Sequence, residues 1–154
     1  MKIVPILGHV KYHITLDPSS WIFDDRKISV EDYDDPNFDL DEFLKAQKDE
    51  RAGAALPRLA ASKRKYRKEE WLTKSFVMPA KIFIQNAEPL EEATAIQFSL
   101  TNGQTATVPL EEMEEGAFQF SRDGKLLTDE GPLIFLCRGK DREPVAQIEK
   151  ITVI

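Results

Sequence analysis

Asn102-Gly103 lies between two runs that alternate apolar and polar residues, with Ile96, Phe98 and Leu100 before it and Ala106, Val108 and Leu110 after it. An Asn-Gly pair flanked in this way is the strongest short-range signal for a β hairpin, because both residues tolerate the positive φ that tight turns need. The second half of the chain is therefore expected to be a sheet built on this hairpin. The amides of Phe98 and Val108 are expected to be among its slowest to exchange.

Strand signals continue downstream. A helical turn over 110–115 is stopped by Gly116, Phe118 and Phe120 lead into an Asp123-Gly124 turn, and further strands are expected at 133–137 and 148–153. Upstream of the hairpin, Ile82 and Ile84 alternate with Lys81, Phe83 and Gln85, which reads as another strand closed by residues 86–89.

The first half is more mixed. Val10, Tyr12, Ile14 and Leu16 alternate toward the turn signal Asp17-Pro18-Ser19, and a short strand at 21–23 with Ile28 and Val30 returning makes an expected N-terminal hairpin across Asp24, Asp25, Arg26 and Lys27. Asp39 as N-cap, Glu42 three residues on and the stripe Leu40, Phe43 and Leu44 predict a helix over 40–52, before Gly53. Residues 54–74 carry Lys63, Arg64, Lys65, Arg67 and Lys68 without apolar periodicity and read as a loop with a helix around 62–72. The expected fold class is α+β, a strand-rich mixed sheet with one or two helices in a single domain over 1–154.

At 154 residues and 42% hydrophobic, with nine Phe, three Tyr and two Trp, the chain can bury a core without metal or disulfides. Twenty-seven acidic against twenty-one basic residues leave a net charge of −6, which disfavours a surface built for phosphate backbones. Cys137 is the only cysteine, so no intrachain disulfide forms. The run 3–10 contains Pro5, Gly8 and His9 and reads poorly as a signal peptide. No stretch approaches the roughly 20 apolar residues of a membrane helix. A cytoplasmic location follows as the expectation.

The residue types that carry chemistry are sparse. His9 and His13 are the only histidines, and four residues along a strand separate side chains by about 13 Å, too far for one ion. Asp35, Asn37, Asp39 and Asp41 imitate the start of a calcium loop, but its sixth position is Leu40 instead of glycine and its twelfth is Ala46 instead of glutamate. Capping and a solvated loop account for these acids. Cys137 falls in the apolar run 133–137 and reads as an inert core thiol. The basic segment 58–74, interleaved with Tyr66 and Trp71, could contact phosphates and bases, although such a run is more often a solvated face or a contact with the acidic region 24–42. The mixture of Trp21, Phe23, Asp24, Asp25 and Arg26 suits either a contact surface or a tight turn.

Gly103 to Met113, then Phe120 to Leu127, Glu130 to Leu136 and Lys150 to Val153 resemble the closing part of the sulfite-oxidase-type molybdopterin-binding domain. That family shows a glycine-led strand, a step into a short helix, an Asn-Gly-Lys type turn, a Gly-Pro strand and a final strand. The resemblance covers about the last third and implies an α+β fold with a mixed sheet. Catalytic members hold the metal through an upstream cysteine thiolate, whereas Cys137 lies in a late strand. The family's arginine after the Pro-Leu pair is replaced by Ile134, and its glycine and Lys-Trp pair by Pro144, Val145, Ala146 and Gln147. No molybdopterin, other cofactor or metal is therefore expected. The whole chain is also similar to short uncharacterised proteins of Gram-positive bacteria, some of which carry a peptidyl-prolyl isomerase label.

These readings converge on a non-catalytic binding or interaction module with an unidentified protein or small-molecule partner, and with neither nucleic acid nor membrane as the favoured one. Its candidate binding residues are Trp21, Asp24, Asp25, Arg26, Arg64, Tyr66, Arg67 and Trp71. The alternatives are an enzyme, the isomerase label included, and a nucleic-acid-binding protein using residues 58–74.

Overall fold

A computed structural model describes residues 3–51, 66–138 and 143–154. Its architecture is α+β, and among the described residues nine strands join one mixed sheet. Strand β11 (Val145–Val153) organises it. Ile148 pairs with Leu133 of β10 (Leu133–Cys137) and with Leu100 of β5 (Ala95–Leu100), and Ile151 pairs with Ile6 of β1 (Val4–Gly8) and with Phe98 of β5. Strand β5 thus follows one edge of β11, while β10 and β1 share the other in succession. The β1 pairing is parallel and the other two are antiparallel.

From β1 the sheet extends to β2 (Ile14–Leu16), and from β10 through β7 (Gly116–Gln119) and β4 (Phe76–Pro79) to β3 (Ile28–Ser29). The Asn102 hairpin forms, with β5 and β6 (Thr105–Pro109) antiparallel and Ser99 opposite Thr105. Gly103 takes φ +87° and its N–H donates to the Leu100 carbonyl, while the Asn102 side chain accepts from the Gln104 N–H. A three-residue connection with glycine in the left-handed region results. The Asp123-Gly124 turn also forms, joining β8 (Ser121–Arg122) to β9 (Lys125–Leu126) as a separate two-stranded ribbon.

Successive residues of β4 and β7 serve opposite faces of the sheet, as the two-residue strand period requires. Phe76, Met78 and Phe118 enter the larger core with Phe98, Phe120 and Phe135, whereas Val77 and Ala117 enter a smaller one with Ile28, Tyr33, Phe38, Leu40 and Phe43. Helices α1 (Val30–Asp34) and α2 (Leu40–Arg51) supply the cover of the smaller core. The Asp39 carboxylate accepts from the Glu42 N–H at 3.0 Å, the expected N-cap of α2, and the Asp35 carboxylate caps Asn37.

Several expected elements differ. Residues 80–87 form a helix, not a strand, with Ala80, Phe83, Ile84 and Ala87 buried at the i, i+3, i+4, i+7 spacing of a helical face. Alternation of Ile82 and Ile84 over so short a run fits either period. Residues 21–23 belong to a 3₁₀ turn, Pro18–Phe23, in which the Asp17 side chain caps the Ser19 N–H and proline holds the first position. Asp17-Pro18-Ser19 thus starts a helical segment. The expected N-terminal hairpin does not form, because Ile28 and Ser29 pair with Val77 and Phe76. Ser29 then caps α1, which takes Val30 out of the strand. Val10 makes an isolated bridge to Pro89, and β1, which precedes it, was not anticipated. Of the helix expected over 62–72, α3 (Lys68–Trp71) is described, and residues 62–65 lie outside the described residues. Helix 80–87 is α4 below.

Candidate functional site

The two segments singled out in the sequence meet around one buried cation. Lys27 is 3% exposed, and its Nζ lies 4.4 Å from the Trp71 ring centroid, 5.6 Å from Phe76 and 6.0 Å from Tyr66. Its Nζ donates to the Asp24 carbonyl at 3.3 Å. Burial pushes the Lys27 pKa below the usual lysine value, against an opposing pull from the Asp25 and Asp24 carboxylates. Aromatic faces suit such an ammonium because their quadrupoles attract it without supplying a second ion.

Tyr66 ties this box to the next element. Its hydroxyl accepts from the Ser29 N–H at 2.9 Å and donates to the Asp32 carboxylate at 2.6 Å. Burial, with the hydrogen bond to Asp32 second, raises its pKa from 10.0 to about 12. The contact anticipated between the basic segment and the acidic region therefore exists at this residue. Trp71 is half-buried, and its Nε1 meets no hydrogen-bond acceptor among the described residues.

The remaining candidates divide. Asp24 clamps Arg26, accepting from its backbone N–H at 2.8 Å and from Nε and Nη2 at 3.0 and 2.7 Å. Asp25 is exposed. Trp21 is in the larger core, stacked on Phe83 at 4.9 Å and edge-on to Phe120 at 5.4 Å. Arg67 is exposed at the start of α3, where its N–H donates to the Glu70 carboxylate. Arg64 lies outside the described residues. His9 and His13 are both exposed, on the connection between β1 and β2.

Two hollows flank the β8–β9 ribbon, and a third of about 470 Å³ lies along the ribbon itself, lined by Arg122, Asp123, Lys125 and Leu126 with Leu127 to Glu130. A polar one of about 360 Å³ is lined by Ser29, Glu31, Thr73, Lys74, Ser75, Gln119, Arg122 and Asp123, together with Val30. A more apolar one of about 590 Å³ is formed mainly by Pro18, Phe120, Leu126, Leu127 and Pro132. Exposed Phe23 and Leu72 belong to the same region, since Phe23 meets Trp71 edge-on and the Leu72 backbone abuts Gly124. Sequence reading missed Lys27, Ser29 and Gln119. Gln119 had a legible signal: a lone amide between Phe118 and Phe120, in a strand buried on both faces, needs a reason to be there.

The donor set does not fit a molybdenum centre. Cys137 is half-buried and its thiol points to the carbonyls of Glu112 at 3.7 Å and Arg138 at 3.8 Å. The adjacent Arg138 guanidinium is engaged by the Glu115 carboxylate and the Tyr33 carbonyl. Ile134, where the family often has arginine, is buried apolar surface of β10. Among the described residues, no helix is long and apolar enough to cross a membrane.

No protein-family model matches the chain, and no curated protein matches it. Among solved structures it is similar to the sulfane dehydrogenase SoxCD of Paracoccus pantotrophus, with a TM-score of 0.53 and 10% identity over 99% of this chain. The chain spans 38% of that protein's length, and a likeness at this identity is one of fold.

Proposed function

We propose that this chain is a non-catalytic binding module that uses a sulfite-oxidase-type scaffold without its molybdenum site. The fold likeness to sulfane dehydrogenase agrees with the resemblance read from the closing third, and a shared scaffold carries no chemistry of its own. The observation that carries the reading is the pair of hollows, one polar and one apolar, on either side of a short ribbon. Phe23 at 73% exposed, Leu72 at 68% and Leu126 at 47% add apolar surface that folding leaves in water. Tyr66 and Trp71 spend ring surface on Lys27, which favours a small molecule or protein over stacked bases.

A fragment screen followed by amide chemical shifts tests this. Saturable shifts are expected at Ser19, Leu127 and Arg122, around the ribbon. Fragments that cluster elsewhere, or stoichiometric molybdenum in protein made in a molybdopterin-producing host, would overturn it.

A further inference from the structure

We propose that the polar hollow binds a small zwitterion of the amino-acid or dipeptide class, holding its carboxylate and its ammonium at once. This rests on the binding-module reading and names its ligand.

Buried polar side chains are few among the described residues: Lys27, Ser29, Glu112, Gln119 and Ser121. Ser29 and Gln119 line the hollow, and the Ser121 carbonyl accepts from the Gln119 amide. Burying a polar group unsatisfied is costly, and while the Ser29 and Ser121 hydroxyls accept from the N–H groups of Asp32 and Phe76, Gln119 needs an account of its own. Gln119 is 6% exposed. Its Nε2 donates to the Ser121 carbonyl at 2.9 Å, which fixes the orientation of the amide. Its Oε1 accepts from no described residue, leaving an acceptor at the wall of the hollow.

The hydroxyls offer the opposite capacity. Ser29 Oγ accepts from the Asp32 N–H at 3.2 Å and Ser75 Oγ from the Asp123 N–H at 3.1 Å. Neither O–H proton has an acceptor among the described residues, so both are available to a carboxylate.

Charge selects the class. Lys74 and Arg122 supply two cations, Glu31 and Asp123 two carboxylates. Lys74 is steadied by Glu70 at 3.2 Å and lies 5.9 Å from the Tyr66 ring centroid, while Arg122 is held by Glu130. A ligand of one sign meets repulsion from half of this set, whereas a molecule carrying both signs meets a partner for each. The volume, at the small end for ligand sites, limits the choice to something near the size of a dipeptide.

Amide-shift titration with alanyl-alanine, its N-acetyl form, its C-terminal amide and inorganic phosphate tests the proposal on the wild type and on Gln119→Leu. Saturable shifts are expected for the zwitterion at Ser29, Ser75 and the Gln119 side-chain amide. Blocking either terminus should weaken binding about tenfold, roughly 1.4 kcal/mol. Gln119→Leu should lose the site, and Ser75→Ala, at a half-buried position, should weaken it should the first variant fail to fold. Equal affinity for a blocked form, or saturable binding of phosphate alone, overturns the proposal. Fragments shifting Leu126 and Leu127 while the polar side stays silent overturn it and leave the binding reading standing; silence on both sides overturns both.

Discussion

Phe118 and Gln119 are neighbours in β7, both buried, and they face opposite sides of the same sheet in very different company. Phe118 is 0% exposed and meets the rings of Phe98 at 6.2 Å and Phe135 at 5.7 Å. Gln119 meets Ser121 and a hollow edged with charge. One side stabilises the fold by removing apolar area from water and by close packing. The other carries the smaller core around Val77 and Ala117 and, beside it at Gln119, buries polar atoms whose hydrogen bonds contribute only about 0.5–1.5 kcal/mol each. The contrast sets the close-packed larger core against a polar hollow beside the smaller one.

Phe118→Ala should produce the largest effect, a loss of about 3–5 kcal/mol in urea unfolding, because the cavity lies among rings that cannot all close in. A loss under 1 kcal/mol would mean the larger core is not the principal source of stability. Gly124→Ala should come next, at about 1–3 kcal/mol, since its φ of +83° suits glycine and an added Cβ would collide with the Leu72 backbone. It should also displace the ribbon from residues 72–74, changing amide shifts in both hollows while those of β5 stay put.

Tyr66→Phe should cost about 1–2 kcal/mol, by stranding the Ser29 N–H and removing a donor to Asp32. This substitution also has a pH signature. Because the folded tyrosine titrates near 12 and the unfolded one near 10, the folded state holds the extra proton between those values. Stability from this group is complete below pH 10 and is lost as pH rises toward 12. Burial raises the Tyr33 hydroxyl as well, so the wild type declines for two reasons, and Tyr66→Phe should decline less steeply. Parallel alkaline curves would show that Tyr66 is not held as described. The smallest effect belongs to Arg122→Gln, within about 0.5 kcal/mol, because its pairing with Glu130 is half-exposed on both sides. A near-silent melting curve with weakened zwitterion binding would place this cation on the ligand side of the comparison.

What was legible in the sequence follows the same division. Features governed by local chemistry were readable: the Asn102-Gly103 and Asp123-Gly124 turns, the Asp39 cap, the 3₁₀ turn Leu110–Glu114 and the late strands. Features decided by a distant partner were not. Ile28 gives no local sign that it will pair with Val77, and Ile82 with Ile84 fits a strand until Phe83 and Ala87 are known to face a core. Candidate-site residues show the same limit. Tyr66 and Trp71 could be singled out by type, but the lysine they enclose could not, since Lys27 looks like any other turn charge before the chain folds. Gln119 is the exception, a polar residue conspicuous within an apolar run.

The placement of β11 has a consequence for the order of events during synthesis. Ile6 is translated 145 residues before its parallel partner Ile151. Strand β5, made midway, depends on the same late segment along its other edge. On a ribosome the hairpin of β5 and β6 can close early through its own turn, while β1 must wait with its apolar side uncovered until β11 has emerged. Nascent chains halted before residue 145 should therefore recruit holdase chaperones through β1, and release should follow once β11 has left the exit tunnel.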